Sequence, residues 1–87
     1  MTHELKVLPV CYEAITKEGK NFEVCRMDRD FKAGDIVILN EYVAGQYTGR
    51  HVQKEITFVY KADGTYGLYK PYGIIGLKEV SNSGSFA

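Results

Sequence analysis

A run of four aliphatic residues, Ile36-Val37-Ile38-Leu39, constrains the fold more than any other feature of the sequence. It lies within the segment Asp35–Val43. Successive side chains of a strand point to opposite faces, so an unbroken aliphatic run predicts a strand buried on both sides. With 87 residues the chain has room for one domain. We expect that domain over residues 1–80, and a flexible tail over residues 81–87, where small polar residues dominate.

Composition excludes several classes of protein. Hydrophobic residues make up 45% of the chain, as in ordinary globular proteins. No apolar run approaches the roughly 18 residues of a membrane span and no leader peptide is visible, so we expect a cytoplasmic protein without membrane contact. Eleven basic and eleven acidic residues cancel, which removes the simplest reason to expect tight DNA binding. A local basic patch is compatible with this balance.

Short alternating segments predict a mainly β fold of the α+β class. Asp63-Gly64 is a strong turn signal, and Ala44–Gly49 is typical of a hairpin loop. About five strands, one short helix and short hairpins predict a small antiparallel or mixed β-barrel, closed or nearly closed. Besides the aliphatic segment, the predicted strands are His3–Leu8, Phe22–Arg26, His51–Tyr60 and Gly73–Val80, and the two glycines of the last strand indicate close backbone approach or a bulge.

One helix is expected directly after the first strand. Pro9 suits the first helical position because its missing N–H has no partner there, and Gly19 suits the position just beyond the helix end. The helical period predicts that Cys11, Ala14 and Ile15 face the sheet. The opposite face would then hold Tyr12, Glu13, Thr16 and Lys17.

The segment Lys20–Lys32 holds four basic and three acidic residues. One interpretation is a solvated turn with weak surface ion pairs. The other is a rim of cations and carboxylates that can contact phosphates and base edges together. If Phe22 and Val24 face the core, the alternation of a strand turns Glu23 outward, toward a surface cleft.

Seven tyrosines are many for a chain of this length. They suit the half-buried surfaces of a small barrel, where the hydroxyl reaches the rim. Alternatively, they form a platform on which unpaired bases stack. The segment Tyr66–Tyr72 is the most loop-like aromatic cluster, so any stacking residue is expected there.

Cysteine and histidine offer no catalytic or metal centre. Cys11 and Cys25 form no CxxC pair and are too few for a disulfide scaffold. His3 and His51 have no partners at metal-ligand spacing. We therefore predict no metal site, no cofactor and no catalytic residue.

Segments along nearly the whole chain resemble the ASCH family of the PUA-like superfamily, and more closely the small bacterial and phage proteins of that group. The segments that carry the resemblance are Lys20–Glu23, Asp28–Asp35, His3–Pro9, Tyr47–Arg50 and Tyr72–Leu77. The resemblance implies a PUA-like β-barrel with a helix after the first strand. It also implies a cleft beside the family's GxKxxExR motif, for which RNA or nucleotide binding has been proposed.

The motif departs from the family pattern at its arginine. Lys20 and Glu23 match the family's lysine and glutamate, whereas the arginine falls on Cys25 and Arg26 comes one place late. Because neighbouring residues of a strand point to opposite faces, this shift turns Arg26 away from Glu23 unless a bulge restores it.

Three functions follow as hypotheses. The first is an RNA- or nucleotide-binding module with its cleft beside Lys20–Arg29, in which cations contact phosphates, Glu23 accepts from a base amino group and a tyrosine stacks. The second is a protein-interaction or accessory domain. The third is an amidohydrolase acting on a modified nucleoside, as the resemblance allows, but Glu23 stands where such enzymes have threonine. The predicted binding residues are Lys6, Lys20, Glu23, Arg26, Arg29 and Tyr72.

Overall fold

A computed structural model describes residues 1–80 of the chain; the predicted flexible tail, residues 81–87, lies outside the described residues. The regular elements alternate with short turns, and a 3₁₀ turn at Thr65–Gly67 precedes the last strand. In chain order they are β1 (Thr2–Val7), α1 (Pro9–Lys17), β2 (Phe22–Arg26), β3 (Ile36–Val43), β4 (Gln46–Lys61) and β5 (Tyr72–Lys78).

The five strands form one mixed sheet in the order β1-β3-β4-β5-β2. β1 runs parallel to β3, and the other three neighbouring pairs are antiparallel. β1 and β2 are thus the two edges, and within residues 1–80 they form no ladder that would close a barrel. The predicted mainly β fold with a helix after the first strand is confirmed, in the form of an open sheet.

The hydrophobic core lies between α1 and one face of this sheet, which we call the inner face. Val37 and Leu39 of the aliphatic run are fully buried on that face, together with Ile56 and Ile75. Ile36 and Ile38, on the outer face, are only half-buried. The prediction of burial on both sides therefore holds fully for the inner face alone.

The helix begins at Pro9 and ends at Lys17, as its flanking residues predict, and Gly19 takes a positive φ of 78°. The predicted buried stripe is partly wrong. Ile15 is buried, but so is Tyr12, because its ring packs into the core and its hydroxyl donates to the backbone carbonyl of His51 at 3.1 Å. No helix among residues 1–80 has the length and apolar character needed to cross a membrane.

The hairpin between β3 and β4 is tighter than predicted. Only Ala44 and Gly45 form the turn, with φ of 53° and 80°, and β4 begins at Gln46. Positive φ at both central residues is typical of a two-residue hairpin whose twist matches that of its strands. The expected loop over residues 44–49 is therefore wrong, because its second half is paired strand that contains a bulge opposite Glu41.

Candidate nucleic-acid interface

A cleft of about 330 Å³ is lined by both edge strands of the sheet, and we call it the central cleft. β1 and β2 face it from opposite sides, the turn after β2 supplies Asp28 and Arg29, and β5 supplies its first residue. The open edge of the sheet thus brings together five of the predicted binding residues, Lys6, Glu23, Arg26, Arg29 and Tyr72.

Arg29 spans the opening between the edges. Its Nη1 donates to the backbone carbonyl of Glu4 at 3.1 Å, and its Nε lies 3.3 Å from Oδ1 of Asp28. Two residues further on, Phe31 is buried in the core and anchors the turn. The guanidinium is therefore held at the cleft by contacts on both sides, with 39% of its side chain exposed to solvent.

Two cations of the central cleft are free to meet an external anion. Within residues 1–80, neither Lys6 nor Arg26 forms an ion pair. Instead, Nζ of Lys6 lies 4.5 Å from the centre of the Tyr42 ring, and the Arg26 guanidinium lies 6.0 Å from the Tyr72 ring. Such contacts with aromatic faces orient a cation without neutralising its charge.

The two faces of β2 are reversed relative to the prediction. Phe22 and Val24 are 42% and 45% exposed on the outer face, whereas Glu23 and Cys25 are half-buried on the inner face. β2 is an edge strand, and its inner face borders the cleft, where the polar end of a glutamate finds solvent and a cation. Glu23 lines the cleft nonetheless, so its predicted place at a cleft does not depend on which face is outward.

Arg26 lines the central cleft although β2 contains no bulge. Because Arg26 comes one position late in the motif, the sequence predicted that a bulge would be needed to bring it beside Glu23. The pairing of β2 with β5 is regular from Phe22 to Arg26, so Arg26 points to the face opposite Glu23. Both residues nevertheless line the cleft, because it opens at the free edge of β2, where side chains of either face can meet.

Lys20 lies outside the central cleft and contacts Glu23, which lines it. Its Nζ is 3.2 Å from Oε1 of Glu23, and the two side chains are 21% and 12% exposed. The same ammonium group lies 5.3 Å from the ring of Phe22. Lys20 is thus placed to hold the Glu23 carboxylate in position rather than to meet a ligand in this cleft.

Lys20 also lines a separate cleft of about 240 Å³ below the end of α1. Lys54 and Glu79 lie in that cleft, with Nζ and Oε2 2.6 Å apart. The amidohydrolase hypothesis needs a lysine, a threonine and a distant glutamate. Here Lys20 already pairs with Glu23, and Glu79 pairs with Lys54, so this lysine and this glutamate are both engaged with other partners.

The thiol of Cys25 borders the central cleft as well. Burial raises its pKa to about 11, and the nearby charges of Glu23 and Asp28 add to the shift. A thiol with such a pKa stays protonated at neutral pH and is a poor nucleophile. Among residues 1–80, no three His, Cys, Asp or Glu side chains come together as a metal site requires.

Sequence reasoning missed one polar cluster, on the helix side of the sheet. The carboxylate of Glu41 is almost fully buried and accepts hydrogen bonds from Thr48 at 2.6 Å and from Arg50 at 2.7 and 2.9 Å. Arg50 also contacts Glu13 at 2.9 Å and lies 4.6 Å from the Tyr12 ring. The sequence signal that could have indicated the bulge of β4 opposite Glu41 is Gly49, a glycine inside a strand.

Comparison with known proteins identifies relatives of the chain. Residues 2–77 match the family described as "Domain of unknown function (DUF3850)". An "Uncharacterized 12.9 kDa protein in GpA 3'region" of Escherichia phage P2 is 37% identical over 57 residues. That match covers 66% of this chain and 52% of the phage protein, so the chain spans about half the length of this relative. Because the family match extends over most of its length, the chain belongs to the DUF3850 family.

Proposed function

We propose that the chain is an RNA- or nucleotide-binding module of the ASCH type that holds its ligand in the central cleft. The composition of that cleft is the observation that supports this most directly. Three cations, two carboxylates and a half-exposed tyrosine line one opening between the edge strands. Cations for phosphates, acceptors for base amino groups and a ring for stacking are the elements of single-strand recognition.

Each lining residue has a distinct role in this proposal. Lys6 and Arg26, which have no carboxylate partner among the described residues, contact phosphate oxygens, and Arg29 adds a third positive charge. Glu23, held by Lys20, accepts a hydrogen bond from a base amino group. Tyr72 is 44% exposed and offers its ring to a base.

The ASCH assignment is supported by the position of the helix and of the cleft. The resemblance implies a helix after the first strand and a cleft beside the lysine and glutamate of the motif. α1 follows β1 directly, Glu23 lines the central cleft, and Lys20 pairs with Glu23 from outside it. The excess of cations in the cleft is small, so the proposed binding is modest in affinity and sensitive to salt.

The experiment that tests the proposal is a titration of isotope-labelled protein with a mixed-sequence single-stranded RNA, followed by NMR at low and at raised salt. We expect amide shifts to cluster at Lys6, Glu23, Arg26 and Arg29, and to fade as salt rises. Flat spectra at both salt concentrations would contradict the proposal and favour a protein-interaction domain.

Two single-charge variants make the test specific. Arg26→Gln removes a free cation of the cleft. We expect the slope of log affinity against log salt concentration, which is negative, to become shallower by about 0.7 in this variant. Lys32→Gln is the matched control, because Lys32 lies outside the cleft and its Nζ is 3.5 Å from Asp30. Equal effects of the two variants would show that binding follows overall charge and not this cleft.

A further inference from the structure

Two further clefts adjoin the central cleft and share lining residues with it. The first, of about 290 Å³, lies on the outer side of β1, and we call it the Tyr47 cleft. It shares Leu5, Lys6 and Arg29 with the central cleft, and it adds Glu4, Asn40 and Tyr47. The two clefts are therefore neighbours on either side of the same two cations.

The second adjoining cleft, of about 270 Å³, lies beyond the start of β5, and we call it the Pro71 cleft. Tyr72 forms a wall that it shares with the central cleft. Its other lining residues are Met27, Lys61, Ala62, Lys70 and Pro71. The three clefts thus form a series in which neighbours share lining residues, with the Tyr47 cleft at one end and the Pro71 cleft at the other.

Each cleft of the series combines an aromatic ring with unpaired positive charge. Tyr47 is 59% exposed in the Tyr47 cleft, and Tyr72 lines both the central cleft and the Pro71 cleft. Lys61 and Lys70 in the Pro71 cleft form no ion pair within residues 1–80. A repeated pairing of rings and cations along a groove is how proteins follow a single strand, with bases stacked and the backbone neutralised.

We infer that the ligand is a single strand of at least three nucleotides, lying along the three clefts from Tyr47 to Pro71. This inference rests on the proposed function and narrows its ligand class. A free nucleotide fills only one of the three clefts. A duplex keeps its bases paired and stacked, so it cannot place them on Tyr47 and Tyr72.

The carboxylates of the groove argue for nucleic acid over an acidic peptide. Glu23 and Asp28 line the central cleft between the cations. Both would repel the carboxylates of an acidic peptide, which has no compensating donors on its acidic side chains. The amino groups of adenine, cytosine and guanine are such donors, and they can bond to a carboxylate while the backbone meets the cations.

The test measures affinity by calorimetry for a ladder of single-stranded RNA, from a mononucleotide through a trinucleotide to a hexanucleotide, and for an RNA duplex. We expect affinity to rise steeply up to three nucleotides and the duplex to bind more weakly than the hexanucleotide. Tyr47→Leu should weaken hexanucleotide binding about five-fold or more, since one base stack is worth about 1–3 kcal/mol.

Controls separate this inference from the proposed function. Tyr66→Asn removes a ring that is 92% exposed and lines none of the three clefts, and asparagine tolerates its positive φ of 62°. Lys70→Gln removes a cation from the Pro71 cleft, and so tests the other end of the series independently of Tyr47. If a mononucleotide binds as tightly as the hexanucleotide and binding still requires Arg26, the strand model fails while the proposed function stands. If no RNA binds at low salt, both fail.

Discussion

Arg29 donates from its guanidinium to the backbone carbonyl of Glu4, 3.1 Å away, and this bond links the turn after β2 to the free edge of β1. β1 and β2 stand at opposite ends of the strand order, so no ladder between them holds the cleft at its width. The same guanidinium lines the central cleft. One side chain therefore joins the two sides of the cleft and contributes to its charge.

Arg29→Lys should separate these two contributions. Lysine keeps the charge but lacks the planar fork that reaches Glu4 and Asp28 together. We expect RNA affinity to fall while the salt dependence of binding stays as in the wild type, and the free energy of unfolding in urea to fall by about 0.5–1.5 kcal/mol. Arg29→Gln, in contrast, should also reduce the salt dependence. Wild-type affinity in Arg29→Lys would show that the bond to Glu4 does not shape the cleft.

Glu41 gives the fold a dependence on acid. Hydrogen bonds from Arg50 first, and from Thr48 second, lower its pKa to about 2 from the usual 4.5. Because the folded-state pKa lies below that of the unfolded chain, the stabilisation is complete above about pH 4.5 and is lost as the pH falls toward 2. Asp35 and Glu13, whose pKa values are also lowered, act in the same direction.

Glu41→Gln should therefore flatten the loss of stability in acid. We expect the variant to unfold at lower urea concentration than the wild type at neutral pH, because the charge-assisted bonds to Arg50 are weakened. The difference between the two proteins should shrink as the pH approaches 2. Urea midpoints across this pH range provide the measurement, with Glu18→Gln at the exposed helix end as control. A constant difference at all pH values would exclude Glu41 as the titrating group.

The order of elements could be predicted because its signals are local. Pro9 and Gly19 mark the helix ends, and the bounds of β2 at Phe22 and Arg26 follow from the alternation. Which face of an element is covered is decided by distant segments, so the orientations of β2 and of Tyr12 were predicted wrongly. Phe22 and Val24 carry the apolar half of the alternation, yet as residues of an edge strand they lie on the open face.

The central cleft shows the same limit. Two of its three cations, Arg26 and Arg29, could be anticipated from the charged segment after residue 20, which is local in sequence. That Lys6 and Tyr72 line the same cleft depends on strand order, because β1 forms one edge of the sheet and β5 lies beside β2 at the other edge. The Tyr47 and Pro71 clefts were not predicted, since nothing in the sequence reports which loops adjoin which edge.

The half-buried thiol of Cys25 should react slowly with thiol reagents. Burial raises its pKa from 9.0 to about 11, which lowers the thiolate fraction at pH 8 about a hundred-fold. The remaining thiolate is more nucleophilic because its pKa is higher, which offsets part of this loss. In a Cys11→Ser background, we therefore expect the folded protein to react about ten-fold or more slowly than the urea-unfolded chain. Equal rates before and after unfolding would contradict the burial of this thiol at the cleft.

Gly73 and Gly76 of β5 both approach β4 closely, but the atoms that an added Cβ would meet are different at the two positions. A Cβ at Gly73 would collide with the backbone carbonyl of Tyr60, which cannot move, and with the Met27 side chain. A Cβ at Gly76 would collide with Oγ1 of Thr57, at the bulge of β4.

We expect each alanine variant, Gly73→Ala and Gly76→Ala, to cost about 1–3 kcal/mol of unfolding free energy in urea, because the added methyl group overpacks the contact. Removing the hydroxyl in the double variant Gly76→Ala, Thr57→Ala should restore most of the loss at Gly76. The same Thr57→Ala change should give no rescue of Gly73→Ala, whose obstacle is backbone. Rescue at both glycines, or at neither, would contradict the contacts that place this bulge against β5.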